Sequence, residues 1–272
     1  MTTSANAAIA AALGKSLWTT DSFVPRYRTG EHGPWKINPG GALIHDWGYY
    51  SGPCMLEMLP SLARRVRSAS GVDGDKWETW MSLTPHEIES QELGFLHAFG
   101  NTVVMGLGMG WIAANCALNP RVTHVTIVER DADVIRLFRE SGAFDSLPEP
   151  AQRKIAIVQE DALAWRPDET APVDFLYVDI WLRLAEPQAT SEVRRMQDNI
   201  RAAQIYFWGQ EIAIHSAIGR SAGEITADTI DRAVKEVIKL PLLVPQDRDY
   251  ARMIGQVVRN RIDRRLPVEM EI

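Results

Sequence analysis

The sequence predicts an α/β protein: a doubly wound, mainly parallel sheet with helices on both faces, preceded by a small N-terminal extension. Three observations predict it. From residue 102 onward, short apolar runs alternate with helix-like stretches. The first run, TVVMGL, passes directly into a glycine-rich turn (Gly106, Gly108, Gly110) and then into the helical pattern MGWIAANCAL. Each of the next three strand-like runs ends in, or is closely followed by, a carboxylate: Glu129, Asp161 and Asp179. Strands that alternate with helices pair in parallel through right-handed crossovers, which makes the core Rossmann-like.

Residues 1–83 form the extension. It is rich in turns, with GEHGPWKINPGGA and SASGVDGDK expected as loops. GALIHDWGYYSG suggests a β-hairpin, MLEMLPSLARRV a short helix and KWETWMSL a strand. The Ala-rich start has no basic residue before it and no cleavage site, so a frayed or helical N-terminus is expected in place of a signal peptide. The core is expected over 84–215. TPHEIESQELGFLHAFG opens it as a helix in which Thr84 is the N-cap, Pro85 takes the first position, and Glu87 stands three residues on as the partner of a capping box. VTHVTIVE is a second strand, and RDADVIRLFRESG is a helix stopped by Gly142. KIAIVQ and VDFLYVD are the third and fourth strands, and AQIYFWGQEIAI a candidate fifth. Residues 216–272 are expected to be helical, and no closing strand hairpin is evident.

Composition narrows the function classes. Hydrophobic residues make up 46% and charged residues 24% of the 272, as in ordinary globular proteins, and no apolar run is long enough to span a membrane. The net charge of −6 argues against binding a nucleic-acid backbone; the basic run RNRIDRR is expected to be a solvated helix face. Cys54 and Cys116 lack metal-type spacing, so no metal site is expected, and their scarcity suits a cytoplasmic protein.

A strand that turns through glycines into a helix brings backbone N–H groups close to a ligand, although tight packing alone also uses glycine at such turns. Glu129 lies nineteen residues after Gly110, where a carboxylate can accept hydrogen bonds from both hydroxyls of a ribose. Asp161 and Asp179 taken singly suit helix caps. Together, all four elements converge on the carboxyl edge of the sheet, where open α/β sheets bind ligands. A nicotinamide dinucleotide is the rival cofactor: Gly108, Gly110 and Ala113 fit its fingerprint, but the frame starts two residues late and gives Asp161 no task.

VVMGLGMG, VTIVERD, VQEDALAW and VDFLYVDIW resemble the successive motifs of class I S-adenosylmethionine-dependent methyltransferases, over about residues 84–180. The resemblance implies that Gly106, Gly108 and Gly110 line the methionine part of the cofactor, that Glu129 holds the ribose, and that Asp161 meets the adenine amino group. It places Asp179 beside the sulfonium and the substrate, as the candidate catalytic base. Most of these enzymes carry an acid where Val104 stands; its absence is similar to the spermidine-synthase-like branch, whose first strand is apolar. That branch has a second acid three residues after the one closing the fourth strand, and here the position is Leu182. The function expected is therefore methyl transfer to a small-molecule acceptor, with aminopropyl transfer or non-catalytic cofactor binding and assembly as alternatives, in a homodimer. Gln91, Tyr49 and Trp181 are the candidate substrate contacts, and His45, Asp46, Tyr50 and Glu211 are further polar candidates. No NPPY-like tetrapeptide follows the fourth strand, which disfavours amino groups of bases as acceptors.

Overall fold

The computed structural model describes residues 5–14, 17–66, 76–219 and 224–263. Its N-terminal part comprises α1 (Ala5–Ala12), β1 (Gly30–His32), β2 (Trp35–Asn38), β3 (Leu43–Trp47), β4 (Pro53–Glu57), β5 (Ser61–Val66) and β6 (Lys76–Ser82). The core follows with α2 (Pro85–His97), β7 (Gly100–Met105), α3 (Trp111–Leu118), β8 (Val122–Glu129), α4 (Ala132–Ser141), α5 (Glu149–Gln152), β9 (Ile155–Gln159), β10 (Phe175–Val178), α6 (Ala189–Ile200), β11 (Gln204–Phe207) and α7 (Gln210–Ile218). α8 (Ala227–Arg232), a π-helical turn (Ala233–Ile238) and α9 (Tyr250–Asp263) complete it.

The central sheet has five strands in the order β11-β10-β7-β8-β9, and every pair is parallel. The chain steps outward one way from β7 through β8 to β9, and the other way from β10 to β11. Right-handed crossovers then put α3 and α4 on one face and α6 on the other. The reversal beside β7 is the switch point at which such sheets open a crevice. β7 and β10 are apolar because both faces are covered: Val103, Val104, Met105 and all of Phe175–Val178 are buried. The position where an acid was missing, Val104, is thus a core residue. Beyond β11 the sheet gains, among the described residues, a single parallel bridge, Ile205 to Leu242.

The extension is more regular than its sequence suggested. β1-β2-β5-β6 form an antiparallel sheet and β3-β4 a separate hairpin. GEHGPWKINPGGA contains the β1–β2 hairpin, turned at Gly33 (φ +56°) and Pro34. In GALIHDWGYYSG only the first strand of the expected hairpin is present; Gly48–Gly52 is its turn, and the return strand is Pro53–Glu57. MLEMLPSLARRV is not a helix but parts of β4 and β5. Pro60 between them has no N–H to donate, and the backbone of each half is paired across a sheet instead. AQIYFWGQEIAI is only half strand, because Gly209 (φ +86°) ends the extended stretch and α7 begins. Most of SASGVDGDK, and the end of RNRIDRR, lie outside the described residues. Trp35, Ile37 and Leu62 tie the N-terminal sheet into the same apolar core as the parallel sheet. No helix among the described residues is long and apolar enough to cross a membrane.

Candidate active site

A cavity of about 680 Å³ lies at the carboxyl edge of the parallel sheet, within the size range of small-molecule sites. Its floor is the ends of β7, β8 and β10. Its roof is the N-terminal sheet, through Trp35, Leu62, Arg64, Trp80 and Met81. Trp35 and Trp80 meet edge to face at 5.2 Å, and the Arg64 guanidinium lies over both rings.

The glycine turn is required first by the protein itself. Gly106 has φ +95°, and a Cβ there would stand 2.1 Å from the Asp179 carbonyl oxygen. Gly110, at φ +70°, is the left-handed residue before α3, and its Cβ would strike the Phe138 ring at 2.4 Å. Close packing therefore accounts for both residues. Gly106 and Gly108 also line the cavity, whereas Gly110 sits behind it. Met81 lies across the turn, its sulfur accepting from the Met109 N–H at 3.1 Å.

Glu129 ends β8 with its carboxylate fixed from two sides. The Leu107 N–H donates to one oxygen at 3.0 Å and the Asp131 N–H to the other at 2.8 Å. Charge-assisted bonds of this kind lock its orientation toward the turn. Asp131 in turn caps α4 and accepts from the Trp35 indole at 2.9 Å, which joins the roof to the floor. Asp161 is exposed on the cavity rim, where Oδ1 accepts from the Leu163 N–H at 2.9 Å.

The inner end holds a feature that the sequence did not reveal. Asp179 follows β10, and its N–H extends the ladder to Met105. Facing it from α2 is Glu87. Both line the cavity and are half-buried. Burial pushes the Asp179 carboxyl up to about 7. Burial, and then the neighbouring Asp179 charge, hold Glu87 well above the ordinary carboxylate range; one hydrogen bond from the Gln91 amide, at 2.8 Å, pulls the other way. Thr84 does cap α2, accepting from the Glu87 N–H, but the Glu87 side chain turns into the cavity instead of completing the capping box. Tyr177 and Trp111, each 1% exposed, also line the cavity, and neither the Tyr177 hydroxyl nor the Trp111 indole N–H has a partner among the described residues.

Of the candidate substrate residues, Gln91 and Trp181 line the cavity, and the Trp181 indole donates to Glu192. Tyr49 does not: its hydroxyl donates to buried Glu211 at 3.0 Å, within a separate apolar cluster. Glu211 accepts also from Tyr206 and Tyr250. Tyr50 donates to Glu92, and His45 and Asp46 sit on the β3–β4 hairpin away from the cavity. Neither Cys54 nor Cys116 forms a disulfide among the described residues, where no acidic, His or Cys cluster able to hold a metal occurs either.

Glu87 was hidden by its capping position, yet a signal existed. A helix joined to a parallel strand by two residues runs back against it, so the start of α2 must lie at the carboxyl edge. The cavity is strongly acidic overall: six carboxylates (Glu87, Glu129, Asp131, Asp161, Asp179, Glu192) face two arginines, Arg64 and Arg130. That balance suits a cationic ligand.

No family model and no curated protein matches the sequence. Among solved structures, the chain is similar to the methyltransferase domain of bacterial CtHen1, at 18% identity and TM-score 0.32 over 39% of this chain and 55% of that one. It is similar to the glycopeptide N-methyltransferase MtfA complexed with S-adenosylhomocysteine, at 17% identity and TM-score 0.32 over 42% of each chain. TrmK of M. capricolum, also in complex with S-adenosylhomocysteine, gives 8% identity and TM-score 0.34 over 47% of this chain and 51% of that one. The aligned parts thus span about half the length of those structures or less.

Proposed function

We propose that the chain is an S-adenosylmethionine-dependent methyltransferase with a small-molecule acceptor. The observation that carries this is the convergence of the Gly106–Gly108 backbone, the doubly anchored Glu129, the rim carboxylate Asp161 and the inner carboxylate Asp179 on one cavity at the switch point of the sheet. The residues present fit the cofactor. Glu129 would accept from the ribose hydroxyls, Asp161 would accept from the adenine amino group, and the acidic lining offsets a sulfonium charge. When bound, the cofactor supplies an activated methyl group. The chain's own contribution is to place an acceptor in line with it, which is worth up to about 7–11 kcal/mol in favourable systems. Asp179, raised to about 7, is divided between its two protonation states at neutral pH and is suited to take a proton from the acceptor.

Aminopropyl transfer is the second reading. Leu182, where the second acid of that branch would stand, is 39% exposed, but Glu87 provides a second carboxylate opposite Asp179 from another element.

Calorimetric titration with S-adenosylhomocysteine, S-adenosylmethionine, its decarboxylated form and NAD separates the possibilities. Micromolar binding of the first two, weakened roughly tenfold or more in Glu129→Ala, is expected from the loss of charge-assisted bonds worth about 1.5–3 kcal/mol. Preference for the decarboxylated form would favour aminopropyl transfer, preference for NAD would replace the cofactor, and no binding would end the transferase reading.

A further inference from the structure

We infer that the inner end of the cavity is the acceptor site, and that it takes a cationic amine gripped between Glu87 and Asp179. This rests on the transferase reading for its second half, the chemistry, but not for the binding site itself.

Two carboxylates share the inner end with no basic side chain beside them. Among the described residues, neither forms an ion pair with Lys, Arg or His. Glu87 receives one neutral hydrogen bond, from Gln91, and Asp179 receives none on its side chain from the described residues. In a poorly hydrated site such a pair either holds on to protons or takes a positive group between its members. A neutral acceptor leaves the pair holding its protons, and an anionic one is repelled by whatever charge remains. An ammonium group lets both carboxylates ionise and offers three N–H donors to their oxygens.

A second, independent observation points the same way. Tyr177 lines the cavity, and its buried hydroxyl has no partner among the described residues. Its oxygen can accept from an ammonium N–H, while its hydrogen stays free to donate to a carboxylate. The surrounding wall is aromatic, with Trp111, Tyr177, Trp181 and Trp208 all lining the cavity, and ring faces attract cations. The Gln91 amide, donating to Glu87 Oε1 at 2.8 Å, fixes which way the Glu87 carboxylate points.

The reaction balances with these residues alone on the protein side. The Asp179 carboxylate takes one proton from the ammonium nitrogen, which frees its lone pair. That nitrogen attacks the methyl carbon: the N–C bond forms, the S–C bond breaks, and its electron pair stays on sulfur as a neutral thioether. The product leaves as a methylated ammonium, and Asp179 returns its proton to water. Glu87 is the specificity residue that keeps the substrate nitrogen in place.

The test uses the full chain with and without saturating S-adenosylhomocysteine. Phenethylamine and 1,4-diaminobutane are titrated beside phenethyl alcohol and phenylacetate, on wild type, Glu87→Gln and Asp179→Asn. The expected result is that an amine binds and the alcohol and acid do not. Glu87→Gln should weaken the amine at least tenfold, leave S-adenosylhomocysteine within twofold, and melt no lower than wild type. If neither amine binds, or if the alcohol or the acid binds better, the inference is overturned. It is also overturned if Glu87→Gln weakens S-adenosylhomocysteine and not the amine, because the pair would then hold the cofactor's own ammonium. If S-adenosylhomocysteine fails to bind but amine binding still depends on Glu87, the amine site stands and the transferase reading falls.

Discussion

The molecule buries acidic groups in two places and treats them in opposite ways. Glu211, at the start of α7, is completely buried, and three tyrosine hydroxyls, from Tyr49, Tyr206 and Tyr250, donate to it at 2.9–3.3 Å. Burial raises its pKa, and the tyrosines pull it back. Glu87 and Asp179 are also raised by burial, yet among the described residues only Gln91 donates to the pair, and the buried Tyr177 hydroxyl has no partner. A buried acid whose lone pairs are met by protein donors is a structural tie: it pins the hairpin turn, β11, α7 and α9 together. A pair left unmet at the end of a cavity is held for a ligand. Burial by itself, or a raised pKa by itself, would not separate the two.

The sharpest way to break this comparison is to remove the structural acid. Glu211→Leu leaves the buried Tyr49 and Tyr250 hydroxyls without an acceptor, while Tyr206 still donates to the Ser90 carbonyl at 2.7 Å; each unmet donor costs about 1–3 kcal/mol, so a loss of roughly 2–5 kcal/mol is expected. Denaturant unfolding followed by tryptophan fluorescence would show it as a lowered midpoint. The cavity acid should behave in reverse. Asp179→Asn is expected to cost about 100-fold or more in turnover while melting at or above wild type and binding S-adenosylhomocysteine within threefold. Equal loss of turnover and cofactor affinity would reduce Asp179 to a cofactor contact.

Gly106→Ala tests the boundary between the two roles. A methyl 2.1 Å from the Asp179 carbonyl, at φ +95°, forces the turn and the β10 end apart. Both stability and cofactor binding should fall together, by about 1–3 kcal/mol in stability. The smallest effect is on pH dependence. Asp179 moves from 3.8 to about 7 on folding, so the folded state holds the proton more tightly. Its stabilising contribution is complete below about pH 4 and is lost as pH rises through about 7. Melting temperatures of wild type relative to Asp179→Asn should therefore decline over that window and level off above it. A difference that grew with pH instead would place a cation beside Asp179 in the free protein.

Much of the parallel core was legible because its signals are local. β-branched runs, glycine after a strand, the Thr84 cap and the Gly142 stop after α4 depend on neighbours in sequence. The positions of Glu129, Asp161 and Asp179 followed from topology, since every parallel strand ends at the same edge. What was not legible depends on distant partners. β4 and β5 are strands because of cross-strand pairing that Pro60 and an apolar pattern cannot announce. Tyr49 looked like a substrate contact because a hairpin residue near the site is a fair candidate, but its hydroxyl is claimed by Glu211, which stands 162 residues away. Glu87 was assigned to its own helix end. Its turn into the cavity is visible only once α2 is laid against β7. The aromatic roof of Trp35 and Trp80 likewise exists only after the N-terminal sheet folds over the core.

The most direct test of the central claim is a crystal structure with S-adenosylhomocysteine. The account predicts the ribose hydroxyls on Glu129, the adenine amino group near Asp161, and the sulfur turned toward Asp179 and Glu87. Density elsewhere on the molecule, or an adenosine reversed so that its base meets Asp179, would contradict it.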